Sequence, residues 1–523
     1  MRPVLSPVAF FVIVVALAFV VPLGVLGDYR AGLGVGMISL MLLVGIFVLL
    51  VAGVPLGFAT GFLGAIIIWL NFGEPGLGLV MQRVYDLAVT HAIIAVPFFI
   101  VMASLLERSG IAKDMYDALN IAMGRMRGGV AIVTTIMAVI MAAMSGIIGG
   151  EIVLLGLVAL PQMLRLGYDK HLAIGTICAG GSLGTMIPPS VVLIIYGLVT
   201  ETSITKLFTA SFIPGLMLAT SYILYIVVRT RLNPALAPLP SESGVKDEAP
   251  DTHAGAELFL SLVPFAIGFV CAFAGRAMGL GGTEQIATFI FSSAAVAAML
   301  IVWLKGRDRY PIAKGLLPPL VVVDLVLGSI YGGVTGITEA AAMGVVATAF
   351  LIWIREEMNT VMVLEGLEQT FRSVGTILWV TFGATVLAGA FSLSGGNKFV
   401  ANAIVNLDVA PIVIILMMMF IFFILGMFMD WIGIVLLTMP VFMPIVKQLG
   451  YDPIWFGILF SVNMQIAFLT PPFGSAAFYL KSVVPPEIDL VTIYRSFGPF
   501  ILLQVAILAV LVAFPQISLF LVR

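Results

Sequence analysis

Apolar runs of about 18 residues or more, long enough to cross a bilayer as helices, recur along the whole chain. Short polar or basic turns part them. Spans are predicted at residues 33–51, 56–70, 93–106 and 207–228, and again at 316–330, 340–354, 374–391 and 497–519. One apolar stretch, 128–162, behaves differently. It lies between the basic cluster Lys113, Arg125 and Arg127 and the basic pair Arg165 and Lys170, with Ser145-Gly146 and Gly149-Gly150 at its middle. Lysine and arginine mark the cytoplasmic side, so the stretch leaves from and returns to one side and reads as a re-entrant hairpin. A second hairpin is predicted at 410–446. Two further apolar segments, 171–200 and 453–481, are interrupted at Pro188-Pro189 and Pro471-Pro472.

These interruptions are copies of each other. Leu166-Gly167-Tyr168-Asp169 precedes the first and Leu449-Gly450-Tyr451-Asp452 the second, 283 residues later, and the same offset carries Pro161 onto Pro444 and Tyr196 onto Tyr479. About five crossings make up the first copy, an odd number, so the second copy starts from the opposite side of the membrane. The predicted fold class is therefore an all-α polytopic membrane protein with inverted-topology repeats, re-entrant hairpins and broken helices, the elevator-type ion-transporter architecture. The expected organisation is an extra N-terminal span at 1–30, read as retained and not as a signal peptide, and a first repeat at 31–229. A polar cytoplasmic linker at 230–255 and an additional helix pair at 256–310 lead to the second repeat at 311–523.

Paired broken helices offer specific chemistry. Proline suits the first helical position, so each second half-helix is expected to open at its proline pair and to present the N–H groups of Ser190 and Val191, or Phe473 and Gly474, to an anion. The half-helices ending before the prolines leave free carbonyls. With the hydroxyls of Ser182, Thr185 and Thr470, these are oxygen ligands for a hard cation. The hairpin tips add Ser145-Gly146 on one side and Gly426 to Asp430 on the other, giving two cation half-sites around one substrate. Glu151 and Asp430 sit beside the tips and either cap half-helices or serve the cation, since an ionised carboxylate facing lipid costs roughly 2.5–3.5 kcal/mol. Thr338-Glu339 reads as a helix start with an acid in its first turn. Asp324 is either a buried polar contact or a coupling residue. Asn463, where the first repeat has Gly180, suits substrate contact or helix–helix hydrogen bonding.

Composition narrows the function. The chain is 523 residues long, 61% hydrophobic and 10% charged, with a formal net charge of −2. No basic stretch indicates nucleic acid. Cys178 and Cys271 lie in apolar surroundings and read as small buried residues rather than a disulfide or thiolate site. No G-x-x-x-x-G-K-[ST] occurs, so the energy for transport must come from an ion gradient or another chain. An intramembrane enzyme is the remote alternative: His91, His171 and His253 form no H-E-x-x-H and no pair to bracket a haem. A self-sufficient proton- or Na⁺-coupled carboxylate transporter or exporter of the same superfamily is the nearer one.

The chain resembles the large membrane subunit of the tripartite ATP-independent periplasmic (TRAP) transporters, from about Val54 to Pro499. The resemblance rests on Val96-Pro97-Phe98-Phe99, Met144-Ser145-Gly146, Leu166-Gly167-Tyr168-Asp169 and Ile187-Pro188-Pro189-Ser190. In the second half it rests on Thr338-Glu339-Ala340-Ala341-Ala342, Gly426-Met427-Phe428-Met429-Asp430 and Thr470-Pro471-Pro472-Phe473-Gly474. The extra helix pair is similar to the branch labelled mannitol/chloroaromatic-compound transport, a label that fixes no substrate. The resemblance implies a Na⁺-coupled elevator in the bacterial inner membrane, importing small organic anions such as carboxylates or 2-oxo acids. It implies two partners, a periplasmic solute-binding protein and a small four-helix membrane subunit, and no cofactor beyond Na⁺ as coupling ion. It places the cation sites at Ser145, Gly146, Ser182, Pro188 and Ser190, and at Gly426, Asp430, Thr470 and Pro472. The first tip departs from the family pattern, with Ile147 and Glu151 where a small hydroxyl residue and an aspartate are usual.

Overall fold

The computed structural model describes residues 35–123, 126–146, 149–239, 311–396, 398–399 and 409–522. The expected N-terminal span, most of the linker and the additional helix pair, with His253 and Cys271, lie outside the described residues, as does Ile147. Among the described residues the regular elements are helices, and eight of them are long and apolar enough to cross a membrane. In chain order they are α1 (Val35–Val51), α2 (Leu56–Ala88), α3 (Ala95–Arg108), α4 (Ile111–Met123), α5 (Gly129–Ser145), α6 (Gly150–Arg165), α7 (Lys170–Ser182), α8 (Val191–Thr200) and α9 (Ile204–Leu232). After the undescribed stretch come α10 (Pro311–Val323), α11 (Ile337–Ile354), α12 (Thr360–Leu393), α13 (Pro411–Gly426), α14 (Trp431–Gln448), α15 (Pro453–Leu469), α16 (Ser475–Lys481) and α17 (Leu490–Ala513).

Several elements exceed their predicted lengths. Helix α2 runs on past residue 70 to Ala88, kinked at Gly73 (φ 69°) ahead of Pro75. Helix α4, which carries Lys113, falls where a basic loop is expected; its buried face of Ile111, Met115 and Leu119 explains the helix. Asp324 opens a single π-helical turn, Asp324–Gly328, and is buried there.

The residues form two compact units. One takes those within Met1–Thr90, Ser373–Met418 and Met429–Pro453. Its core joins Ile38, Leu42, Ile46 and Leu49 of α1 to Leu63, Ile67 and Ile68 of α2 and to Leu387 and Phe391 of α12. Helices α2 and α12 approach closely through small residues: a Cβ on Gly64 would stand 2.8 Å from the Leu387 nitrogen, and one on Gly383 2.0 Å from the Gly57 carbonyl oxygen. Close backbone approach through glycine is the usual means of helix association in lipid.

The other unit takes His91–Arg372, Met419–Phe428 and Ile454–Arg523 and contains both proline interruptions. Its local geometry explains the duplicated Leu-Gly-Tyr-Asp. Gly167 adopts φ 79° just past α6, the Tyr168 N–H donates to the Met163 carbonyl at 3.0 Å, and the Gly167 N–H to that of Leu164 at 3.0 Å. This is a Schellman stop, which needs a residue tolerant of left-handed backbone. Asp169 then accepts from the N–H groups of His171 and Leu172, both at 3.0 Å, and caps α7. Past α14, Gly450 also has φ 79°, and Tyr451 and Gly450 donate to Val446 and Lys447 at 3.1 Å. Each tetrapeptide ends a hairpin arm, and the next helix opens directly after it.

Candidate functional site

The broken helices are built differently from expectation in one respect. Helix α7 runs through a 3-10 turn, Leu183–Thr185, and α8 opens at Val191 with Ser190 before it; likewise α16 opens at Ser475, after Gly474. The prolines thus lie inside the interruption, not at the first helical position. A residue followed by proline is pushed out of the α region, so the first proline of each pair cannot start a helix. Both Pro-Pro peptide bonds are cis.

At the first interruption the predicted residues come together. The Val191 N–H donates to the Gly146 carbonyl at 3.1 Å, so the hairpin tip binds the opening of α8 directly. Gly146 has φ 60°, and a Cβ there would fall 2.1 Å from the Pro189 carbonyl oxygen. The hydroxyl of Ser190 donates to the Thr185 carbonyl at 2.7 Å and that of Thr185 to the Ser182 carbonyl at 3.0 Å. Ser145, Ser182, Thr185 and Ser190 are all buried. A cluster of hydroxyl and carbonyl oxygens therefore surrounds Pro188. The Val191 N–H is not free for an anion, a correction to the expected pair of open donors: the hairpin tip takes it.

Glu151, in the first turn of α6, is fully buried; Ser145 donates its hydroxyl to Oε1, while Oε2 has no partner among the described residues. A second carboxylate stands near. A Cβ on Gly150 would lie 2.0 Å from Oε1 of Glu107, near the end of α3. Glu107 escaped the sequence reading, its only signal being a carboxylate closing an apolar run.

The second interruption is more open. The side chain of Phe473 is exposed and meets the ring of Phe428 at the second hairpin tip, centroids 6.1 Å apart, with Gly426 two residues before it. The Tyr494 hydroxyl reaches the carbonyl oxygens of Pro472 at 3.1 Å and Gly474 at 3.3 Å. Thr470 donates to the Ile466 carbonyl at 2.7 Å. Asp430, in the other unit, is exposed and caps α14 by accepting from the Ile432 N–H at 3.3 Å. Asn463 donates its amide to the Met419 carbonyl on α13 at 2.5 Å, a helix–helix bond.

Two expectations about α11 change. The helix opens at Ile337 after Gly336, so Thr338 is not its cap; its hydroxyl donates to the His91 carbonyl at 3.0 Å. Glu339 is exposed and folds back over Gly336, its Oε2 lying 2.5 Å from where a Cβ would stand.

The two interruptions sit side by side and head to tail. Cys178 on α7 lies with its Sγ 3.9 Å from the Ala476 carbonyl on α16. The ring of Tyr196 on α8 stacks on Phe460 of α15 with centroids 6.2 Å apart. Each first half-helix thus packs on the second half of the other. Around them are buried polar residues that the sequence reading missed: Ser461 and Gln465 on α15, and Gln504 on α17, which donates to Ser182 Oγ at 3.2 Å and to the Tyr222 hydroxyl at 2.8 Å. Their one signal was polarity within runs otherwise apolar.

Comparison with known proteins agrees with this geometry. The family model for the DctM component of the tripartite ATP-independent periplasmic transporter matches residues 43–517. A C4-dicarboxylate TRAP transporter large permease protein of Pseudomonas aeruginosa is 27% identical over 464 residues, covering 88% of this chain and 93% of its own. The ectoine TRAP transporter large permease protein of Halomonas elongata is 26% identical, covering 90% and 96%. The 2,3-diketo-L-gulonate TRAP transporter large permease protein of Escherichia coli is 26% identical, covering 89% and 94%. Among solved structures, the Alcanivorax borkumensis YdaH transporter shares the fold with a TM-score of 0.53 at 18% identity, covering 87% of this chain and 96% of its own. A hairpin docked on a broken helix, in an all-helical chain matched by this family over nearly its full length, makes the protein an inner-membrane permease belonging to the DctM family of tripartite ATP-independent periplasmic transporters.

Proposed function

We propose that this permease uses a Na⁺ gradient to import a small organic anion, a carboxylate or 2-oxo acid. A periplasmic solute-binding protein delivers the solute, and a small four-helix membrane subunit completes the system. The observation that carries the reading is the contact of Gly146 with Pro189 and Val191, which gathers the oxygens of Ser145, Ser182, Thr185 and Ser190 around Pro188. Neutral oxygens in that number suit a hard monovalent cation. Gly426, Thr470 and Pro472, with Asp430, are the corresponding groups of the second cation site. The names of the relatives, which include permeases for C4-dicarboxylates and 2,3-diketo-L-gulonate, support an organic anion as solute.

The test is uptake by the complete three-component system in proteoliposomes. Uptake should require an inward Na⁺ gradient and the binding protein, and should stop when K⁺ replaces Na⁺. Uptake indifferent to Na⁺ would remove the coupling. Buried Glu151, with one unpartnered oxygen and Glu107 close by, favours a second reading in which protons are the coupling ion. A protonophore at constant Na⁺ gradient separates the two, because it abolishes only proton-driven uptake.

A further inference from the structure

We propose that Ser461 and Gln465 form a hydroxyl-recognition subsite, and that the transported solute is accordingly a hydroxylated organic anion such as a 2-hydroxy or polyhydroxy acid. The inference rests on the organic-anion transport proposed above.

Both residues are fully buried on α15, one turn apart, so their side chains share a face of the helix. Among the described residues, the Ser461 hydroxyl and both ends of the Gln465 amide have no hydrogen-bond partner. Leaving one such group unsatisfied costs about 1–3 kcal/mol. Three on one face of the half-helix that leads to Pro471 mark a place where something polar belongs.

The repeat shows that this is not a general property of the architecture. Ser182 stands 283 residues before Gln465, and Gln504 donates to its hydroxyl at 3.2 Å. Cys178 stands 283 residues before Ser461, and its Sγ lies against the Ala476 carbonyl at 3.9 Å. In the first repeat the protein supplies the partners; in the second, among the described residues, it does not. A solute without twofold symmetry must be recognised by residues found in one repeat only.

The chemistry of the amide selects the ligand group. Gln465 offers N–H donors and a carbonyl acceptor together. A carboxylate only accepts and would face the carbonyl oxygen; a cation would serve that oxygen and leave the N–H groups bare. A hydroxyl both accepts and donates, and Ser461 can bond to it as well.

The test uses the complete reconstituted system and solute pairs that differ by one hydroxyl, malate with succinate and lactate with propionate. Wild type should favour the hydroxylated member by about tenfold or more, since a site built to hydrogen-bond a hydroxyl discriminates strongly against its absence. Gln465→Met keeps the length of the side chain without its polar atoms and should bring the ratio close to one. Ser461→Ala, a smaller change one turn away, should lower the ratio in the same direction and gives the readout if Gln465→Met fails to assemble. A ratio left unchanged in both variants overturns the proposal and assigns the amide to an ordered water. Uptake of only the unhydroxylated members by wild type overturns it too. Failure of the Na⁺ requirement in wild type would sink the coupling proposed above while leaving this ratio measurable.

Discussion

The carbonyl oxygen of Gly146 and the N–H of Val191 meet at 3.1 Å, joining a hairpin tip to the start of a half-helix 45 residues further along the chain. The contact needs Gly146 at φ 60° with no side chain, because the Pro189 carbonyl fills the space a Cβ would take. Gly146→Ala should therefore separate tip and helix. The left-handed backbone alone costs roughly 1–2 kcal/mol in an L-residue, and the clash adds to it. Gly450→Ala is the control, since Gly450 has φ 79° and open space around it. Na⁺-driven uptake should fall at least about tenfold in the first variant and stay near wild type in the second.

Ser145→Ala removes the one hydrogen bond that Glu151 makes among the described residues. A buried carboxyl group then stands without a partner, at a cost of about 1–3 kcal/mol. The melting temperature of the purified permease should drop. Adding Glu151→Gln should recover part of the loss, because a neutral amide is cheaper to bury than a carboxylate. No recovery would mean that the Ser145 hydroxyl acts elsewhere.

Tyr494→Phe should tighten cation binding. The Tyr494 hydroxyl occupies the carbonyls of Pro472 and Gly474, and Pro472 is a proposed cation ligand. Removing a competing hydrogen bond of net worth about 0.5–1.5 kcal/mol should lower the half-saturating Na⁺ concentration by about two- to tenfold. A higher Na⁺ requirement in this variant would assign the hydroxyl a positioning role instead.

The pH dependence of stability has one source outside the membrane spans. The hydrogen bonds that Asp489 accepts from the Thr492 side chain and N–H, the latter at 2.9 Å, hold its carboxyl below the usual range. A carboxyl depressed on folding stabilises above its unfolded value, and that contribution disappears as pH falls through the folded one. The melting temperature of Asp489→Ala should thus lie below wild type at pH 7, and the gap should close on acidification below about pH 4. A gap independent of pH would show that the cap acts without its charge.

Local signals carried far in this chain. Leu166 to Asp169 and Leu449 to Asp452 were legible as a repeat because a glycine stop and an aspartate start act within five residues of backbone. The positions of the interruptions were legible for the same reason: two successive prolines cannot continue a helix wherever they fall. Less was legible of the site. That the Asn463 amide reaches Met419, that Thr338 bonds to His91, and that α4 is a helix beneath a basic cluster depend on neighbours distant in the chain.

An all-helical, membrane-embedded chain with two paired discontinuities followed from hydrophobicity and proline alone, since both act on each segment regardless of its surroundings. Which backbone groups at those discontinuities stay open was settled by packing. Gly146 closes one donor and Tyr494 crowds two acceptors, while Gln465 is left with none of its hydrogen bonds made among the described residues. A hydrogen bond depends on ångström-scale placement of two groups, and for groups far apart in sequence only the folded arrangement of helices supplies it.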